Sequence, residues 1–136
     1  MTKILRLFFS LAVPLALATA ASAQSSALVA KIPFDFYMDN TPMTSGTYVV
    51  DLTANGQVLQ LIGKDSRKGA FSMTNPASSP AARSKNVLVF TRYGDQHFLS
   101  QVYWAERGIA RQLPKRELEL ETAKNVRGTQ ITATAR

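Results

Sequence analysis

Apolar and polar positions alternate most densely between Asn86 and Trp104, NVLVFTRYGDQHFLSQVYW, where two β-branched and aromatic runs flank Gly94-Asp95. Gly followed by Asp between such runs predicts a two-residue hairpin turn. Counting outward pairs Tyr93 with Gln96, Arg92 with His97, Thr91 with Phe98, Phe90 with Leu99 and Val87 with Val102. In that register Val87, Val89, Phe98, Val102 and Trp104 share one face, and Leu88, Phe90, Leu99 and Tyr103 share the other. With apolar side chains on both faces, the hairpin is expected to be covered on both sides and central in its sheet.

Shorter patterns flank it. Leu28 to Tyr37, LVAKIPFDFY, predicts an opening strand interrupted at Pro33, whose missing N–H suits an edge or a bulge. Asp39-Asn40-Thr41-Pro42 is turn chemistry. Thr47 to Leu52 and Val58 to Ile62 form a second predicted hairpin about the Asn55-Gly56 turn. After the charged turn Gly63 to Lys68, Gly69 to Asn75 alternates Ala70, Ser72 and Thr74 against Phe71 and Met73, as a half-buried strand does. Pro76 to Lys85, with two prolines and three serines, predicts an exposed loop, and Glu106-Arg107-Gly108 a turn.

Beyond Pro114 the pattern has two periods. Lys115 to Lys124, KRELELETAK, is rich in helix formers behind a proline, although Glu117 to Glu121 also alternates as an edge strand would. Helix is the expectation, on propensity and the proline start. Residues 125–136 are polar and read as a frayed tail rather than a late strand at Gln130 to Thr134. Six to seven short strands and one short C-terminal helix predict an all-β fold, an antiparallel β-barrel or β-sandwich.

The N-terminal residues read as an export signal. Lys3 and Arg6 precede an apolar run from Leu7 to Ala20, broken by Pro14 and followed by Ala21-Ser22-Ala23, a small-residue cleavage site. The expected organisation is a signal peptide at 1–23, a β-rich domain at 24–124 and a polar tail at 125–136. The apolar run is shorter than the roughly 20 residues a spanning helix needs, so no transmembrane anchor is expected after cleavage. Localisation is then periplasmic or extracellular.

Composition narrows the chemistry. The chain has no cysteine, which removes thiol nucleophiles, Cys-based metal sites and disulfides from a protein bound for an oxidising compartment. Lys3 and Arg6 carry two of the net +7 charges, leaving +5 on residues 24–136 and a bias toward anionic partners such as an envelope component. Basic residues at Lys64, Arg67, Lys68, Arg107, Arg111, Lys115 and Arg116 would make an anion-binding face if their loops met at one end. Nucleic acid is not expected as a partner, because the aromatics fall within strands and the protein is read as exported.

His97 is the sole histidine, with no second His or Cys to join it in a metal or base role, and reads as a cross-strand neighbour of Arg92. Asp35, Asp51, Asp95 and Glu106 are the carboxylates that could be paired across a cleft for glycoside hydrolysis, Asp35 standing out between Phe34 and Phe36. Arg92, Tyr93, Gly94, Asp95 and His97 form a candidate recognition tip, although ordinary turn chemistry accounts for the same residues. No cofactor motif is present.

Three stretches carry a family resemblance: PFDF at residues 33–36, the Ser45-Gly46-Thr47-Tyr48 turn, and LVFTRYGD at 88–95 leading to Phe98-Leu99-Ser100-Gln101-Val102. In this order they resemble an uncharacterised family of small secreted soil-bacterial proteins that share a PFDF segment, a PAGTY-like turn, an LVFHRYGD-x-YFLS-x-VW hairpin and an LPKS-like segment. Thr91 stands where that family has a histidine, His97 where an aromatic is usual, and Thr44-Ser45 where it has Pro-Ala. The resemblance implies a secreted β-domain and brings no activity with it. The expected function is a non-catalytic binding or structural protein of the periplasm or cell surface. A barrel carrier of a small hydrophobic ligand and a hydrolase with an unrecognised site are the alternatives.

Overall fold

The computed structural model describes residues 27–53, 55–78 and 84–136. The expected export signal and residues 79–83 of the expected loop lie outside them. Eleven strands and one helix follow in the order β1 (Leu28–Ile32), β2 (Phe36–Met38), β3 (Thr41–Met43), β4 (Gly46–Thr53), β5 (Val58–Gly63), β6 (Gly69–Met73), β7 (Asn75–Pro76), β8 (Asn86–Tyr93), β9 (Gln96–Trp104), β10 (Ile109–Gln112), α1 (Glu117–Ala123) and β11 (Thr129–Ala135). The all-β expectation holds, with more strands than the six or seven anticipated, because short pieces such as β3 and β7 carry no alternation long enough to be read.

The sheet runs β3-β2-β9-β8-β11-β1-β4-β5-β6, mostly antiparallel, and curls until β2 and β6 approach one another, giving a nearly closed barrel. Pro33 lies just beyond β1, where the chain leaves the ladder and crosses to the far side of β9. There β2 pairs parallel to β9 at Tyr37 and Phe98, while β10 takes the rest of the same edge, from Gln101 to Trp104. The handover falls at Ser100, whose carbonyl accepts the Leu113 N–H at 2.9 Å.

The central hairpin keeps the predicted pairs from Tyr93/Gln96 to Phe90/Leu99. Val87 faces Tyr103, however, and not Val102, because a β-bulge between these pairs adds one residue to β9. An extra residue flips every side chain beyond it to the opposite face. Val102 and Trp104 therefore join Leu88, Phe90 and Leu99 in the principal core, and Tyr103 moves to an outer cluster with Val87, Val89 and Ala110. Core aromatics meet edge-to-face, Phe90 with Phe34 at 4.9 Å and with Phe36 at 5.4 Å between centroids. Leu28, Ala30, Ile32, Tyr48, Val50, Leu59 and Leu61 fill the rest of the interior.

Two expectations for the C-terminal region fare differently. The helix forms, starting at Glu117 and so three residues later than a Pro114 start would place it. Residues 125–136 do not fray: β11 lies inside the sheet, paired with β8 from Thr129/Arg92 to Ala135/Asn86 and with β1 at Ala135/Ala30. Small inward residues, Ala133 and Ala135, let this strand lie over the crowded core. In β6 the alternation is inverted relative to hydrophobicity, with Ala70 and Ser72 buried and Phe71 and Met73 outside.

Gly94 has φ +61° and the Asp95 that follows it does not, the sign pattern of a type II′ turn with glycine first. That backbone region excludes β-branched side chains. Gly94→Val is expected to cost about 1–3 kcal/mol, read as a lower urea midpoint; an unchanged midpoint would refute the turn assignment.

Candidate functional site

The bulge that re-registers the hairpin also builds a pocket. It sets both Ser100 and Gln101 on the outer sheet face, beside Thr91 and Tyr93 of β8, and α1 spans the rim of a cavity of about 610 Å³ there. Lys115 and Glu119 line it from the helix side, and Arg127, Gly128 and Gln130 from the connection into β11 and its first residues. Volume and lining suit a small ligand held mainly by polar groups.

Glu119 sits at the centre of the site. It is 5% exposed, whereas its neighbour Leu120 is 51% exposed, so the helix turns its acid inward and an apolar side chain outward. The Tyr93 hydroxyl donates to Glu119 Oε1 at 3.1 Å. Burial holds the Glu119 carboxyl above the usual carboxylate range; the Tyr93 hydrogen bond and the Lys115 charge pull it down, and Asp39 pushes it up. Burial, then the Glu119 charge and hydrogen bond, push the Tyr93 phenol up to about 12. Gly128 fixes the ring from the other side: a Cβ there would stand 2.8 Å from Tyr93 and 2.7 Å from the Thr91 methyl group. Thr91 and Ser100 share a hydroxyl–hydroxyl hydrogen bond across the strands.

Because the folded state raises the Glu119 pKa, its contribution to stability is full below the ordinary glutamate pKa and is lost as pH rises through the folded value. Glu119→Gln keeps an acceptor for Tyr93 and removes the buried charge. It is expected to be more stable than the parent by about 1 kcal/mol at neutral pH, with the gap closing toward pH 4. Tyr93→Phe leaves the acid without its donor and is expected to cost about 1–3 kcal/mol. Urea unfolding across pH measures both, and a pH-independent gap for Glu119→Gln would refute a buried charge.

The expected recognition tip comes apart. Strand alternation sends Tyr93 to the outer face, 4% exposed, while His97 turns toward the barrel mouth and stacks on Phe34 at 4.0 Å. Burial, then the Arg92 charge, lower the His97 pKa, with Asp95 opposing. Arg92 is exposed, its Nε donating to the Gly94 carbonyl at 2.7 Å, and Gly94 and Asp95 are exposed turn residues.

Comparison with protein-family models, with characterised proteins and with solved structures gives no match. The site therefore stands on its own geometry.

The expected single anion face does not form, because β5 and β9 carry the basic loops to opposite ends. Lys64, Arg67 and Lys68 lie in the β5–β6 turn, while Arg107 lies in the β9–β10 turn beside the Asn55-Gly56 turn at the other end. Arg111 is engaged, donating to Thr74 Oγ1 at 2.9 Å and to the Thr74 carbonyl at 2.7 Å. Arg116 lies 3.7 Å from Asp39, and Lys115 is the one member of the set that lines the pocket. Among the carboxylates, Asp35 accepts the Ser45 N–H at 2.8 Å and Asp51 the Leu52 N–H at 2.8 Å. Asp35 and Asp95 line a second recess with Lys68, both exposed to solvent. Glu106 is an exposed turn residue. No cluster of three or more potential metal ligands occurs among the described residues.

Sequence reasoning found Tyr93 and Lys115 and missed Glu119, Thr91, Ser100 and Gly128. The two adjacent polar residues Ser100-Gln101, interrupting period two between Leu99 and Val102, were the available signal for the bulge.

Proposed function

We propose that this protein is an exported, non-catalytic binding module of the periplasm or cell surface that takes a hydroxyl-rich ligand, a saccharide unit of an envelope polymer, in the pocket under α1. The observation that carries the reading is Glu119, a buried acid in a cavity edged partly by hydroxyl and amide side chains and partly by the apolar Leu113, Pro114, Ala123 and Val126. A carboxylate beside Thr, Ser and Gln groups accepts from sugar hydroxyls while its neighbours donate, and Lys115 and Arg127 suit an acidic substituent. Export is supported by the signal-like residues 1–23 and by the resemblance to small secreted proteins.

Two alternatives receive less support. A hydrophobic carrier needs interior space, and the barrel interior is occupied by Phe36, Tyr48, Phe90 and Trp104, each buried. A glycoside hydrolase needs one carboxyl kept protonated by burial beside a second that is ionised, and the Asp35/Asp95 recess offers two exposed acids. At Glu119 the phenol partner, with its pKa pushed up to about 12, supplies no nucleophile near neutral pH.

Titration of the isotope-labelled protein with neutral sugars and uronic acids tests the reading. Amide shifts are expected at Thr91, Ser100, Gln101 and Gly128, and weaker binding in Glu119→Gln. Shifts confined to other surfaces, or none at millimolar sugar, would overturn it.

A further inference from the structure

The outer face of β1, β4, β5 and β6, on the other side of β11 from the pocket, is unlike an ordinary solvated sheet surface. Phe71 is 63% exposed, Met73 55% and Ile62 40%, and cross-strand pairing sets them in one field: Phe71 opposite Gln60, Met73 opposite Val58, Ile62 opposite Val49. Val49 continues the field to Val29 on β1. A short strand that buries alanine and serine while exposing phenylalanine and methionine gives its core only its smallest apolar side chain, Ala70, and such a patch marks a contact surface.

Beside the apolar field lies an open trough of about 480 Å³, lined by Val29, Lys31, Thr47, Thr134 and Arg136. Lys31 pairs with Thr47, whose carbonyl accepts the Lys64 N–H at 2.9 Å, and Arg136 exchanges two backbone hydrogen bonds with Val29. Two cationic residues, Lys31 and Arg136, thus line the trough with two threonines, and the backbone bond to Thr47 sets Lys64 at the neighbouring position. Against them stand Asp51, whose Oδ1 already accepts the Leu52 N–H at 2.8 Å, and Asp65, which follows Lys64 in the β5–β6 turn and lines a separate recess with Thr47.

We propose that this face docks on the surface of an anionic phospholipid bilayer, with Phe71, Met73 and Ile62 entering the acyl boundary and Lys31, Lys64 and Arg136 gathering headgroup phosphates over the trough. Charge complementarity selects this occupant. An aromatic and thioether ridge bordered by cations matches a negatively charged interface, where apolar burial and headgroup attraction act together. A second copy would bring the same cations toward one another across a self-complementary contact, which disfavours association. The described residues include no helix long and apolar enough to cross a membrane, and this docking requires none.

The test is co-sedimentation of the purified protein with vesicles of equimolar phosphatidylglycerol and phosphatidylcholine, beside vesicles of phosphatidylcholine alone. Binding is expected to the mixed vesicles, to fall with added salt, and to be at least roughly tenfold weaker on the neutral ones. Phe71→Ser combined with Met73→Ser is expected to abolish binding, and Lys31→Gln to weaken it about fivefold. Phe71, Met73 and Lys31 are all exposed, and far-ultraviolet circular dichroism checks that each variant folds. Failure to bind mixed vesicles, undiminished binding by the double variant, or a salt-stable dimer dissolved by it would each overturn the proposal. None of these outcomes bears on the pocket, whose sugar titration is read at other residues.

Discussion

A chain ending at Arg127 is expected to lose cooperative folding altogether. The missing residues are β11, which sits between β8 and β1 and pairs with β8 over seven positions from Thr129 to Ala135. On its other edge, Val29 and Arg136 exchange hydrogen bonds at 2.8 and 3.0 Å. Without it the sheet separates into two parts, β1-β4-β5-β6 and β8-β9 with their neighbours. Two long strand edges are then left with unpaired N–H and C=O groups pointing into the gap that β11 filled. Ala133 and Ala135 also cease to cover that core. The deficit exceeds the usual 5–15 kcal/mol total stability of a single domain. Circular dichroism and urea titration of the truncated and full chains check this. A sigmoidal transition with the parent slope in the truncated chain would refute the central role of β11.

Phe90→Ala is expected to destabilise by about 3–5 kcal/mol, the second largest effect of those considered. Phe90 is fully buried, and its ring is the meeting point of Phe34, at 4.9 Å, and Phe36, at 5.4 Å. Residues of β1, β4, β5 and β9 complete the same core, so the hole left by truncation cannot close by moving one strand. It would also undercut the stack of Phe34 on His97. Urea unfolding measures the loss, and a value below about 1 kcal/mol would mean that the site collapses freely and that the core is packed less tightly than its burial implies.

Much of the sheet was legible because it rests on local rules. Gly94-Asp95 and Asn55-Gly56 carry turn chemistry that fixes register within a few residues on either side, and both hairpins formed there. Register beyond Leu99 depended on a bulge, where the extra residue is set by the handover of the β9 edge from β2 to β10. That handover joins segments far apart in sequence. The strand β11 was misread for a related reason. TQITATA is rich in β-branched residues, but its small inward alanines resemble a weak polar tail until the bulk of Leu88 and Phe90 beside them on β8 is known. Glu119 was hidden because helical and two-residue periods both fit ELELE, and neither says which side meets the sheet. The inward acid accepts the Tyr93 hydroxyl, a partner that lies 26 residues away in the chain.

Synthesis proceeds from the N-terminus, and the strand that joins the halves of this barrel follows every other described strand in the chain. Until residues 129–135 emerge, β1 and β8 have no shared neighbour, and neither half has its full complement of ladder bonds. The closing contacts span nearly the whole described chain, from Ala30 to Ala135, so loop-closure entropy opposes them until late. The barrel cannot close until residues 129–135 have been made and reach both β1 and β8.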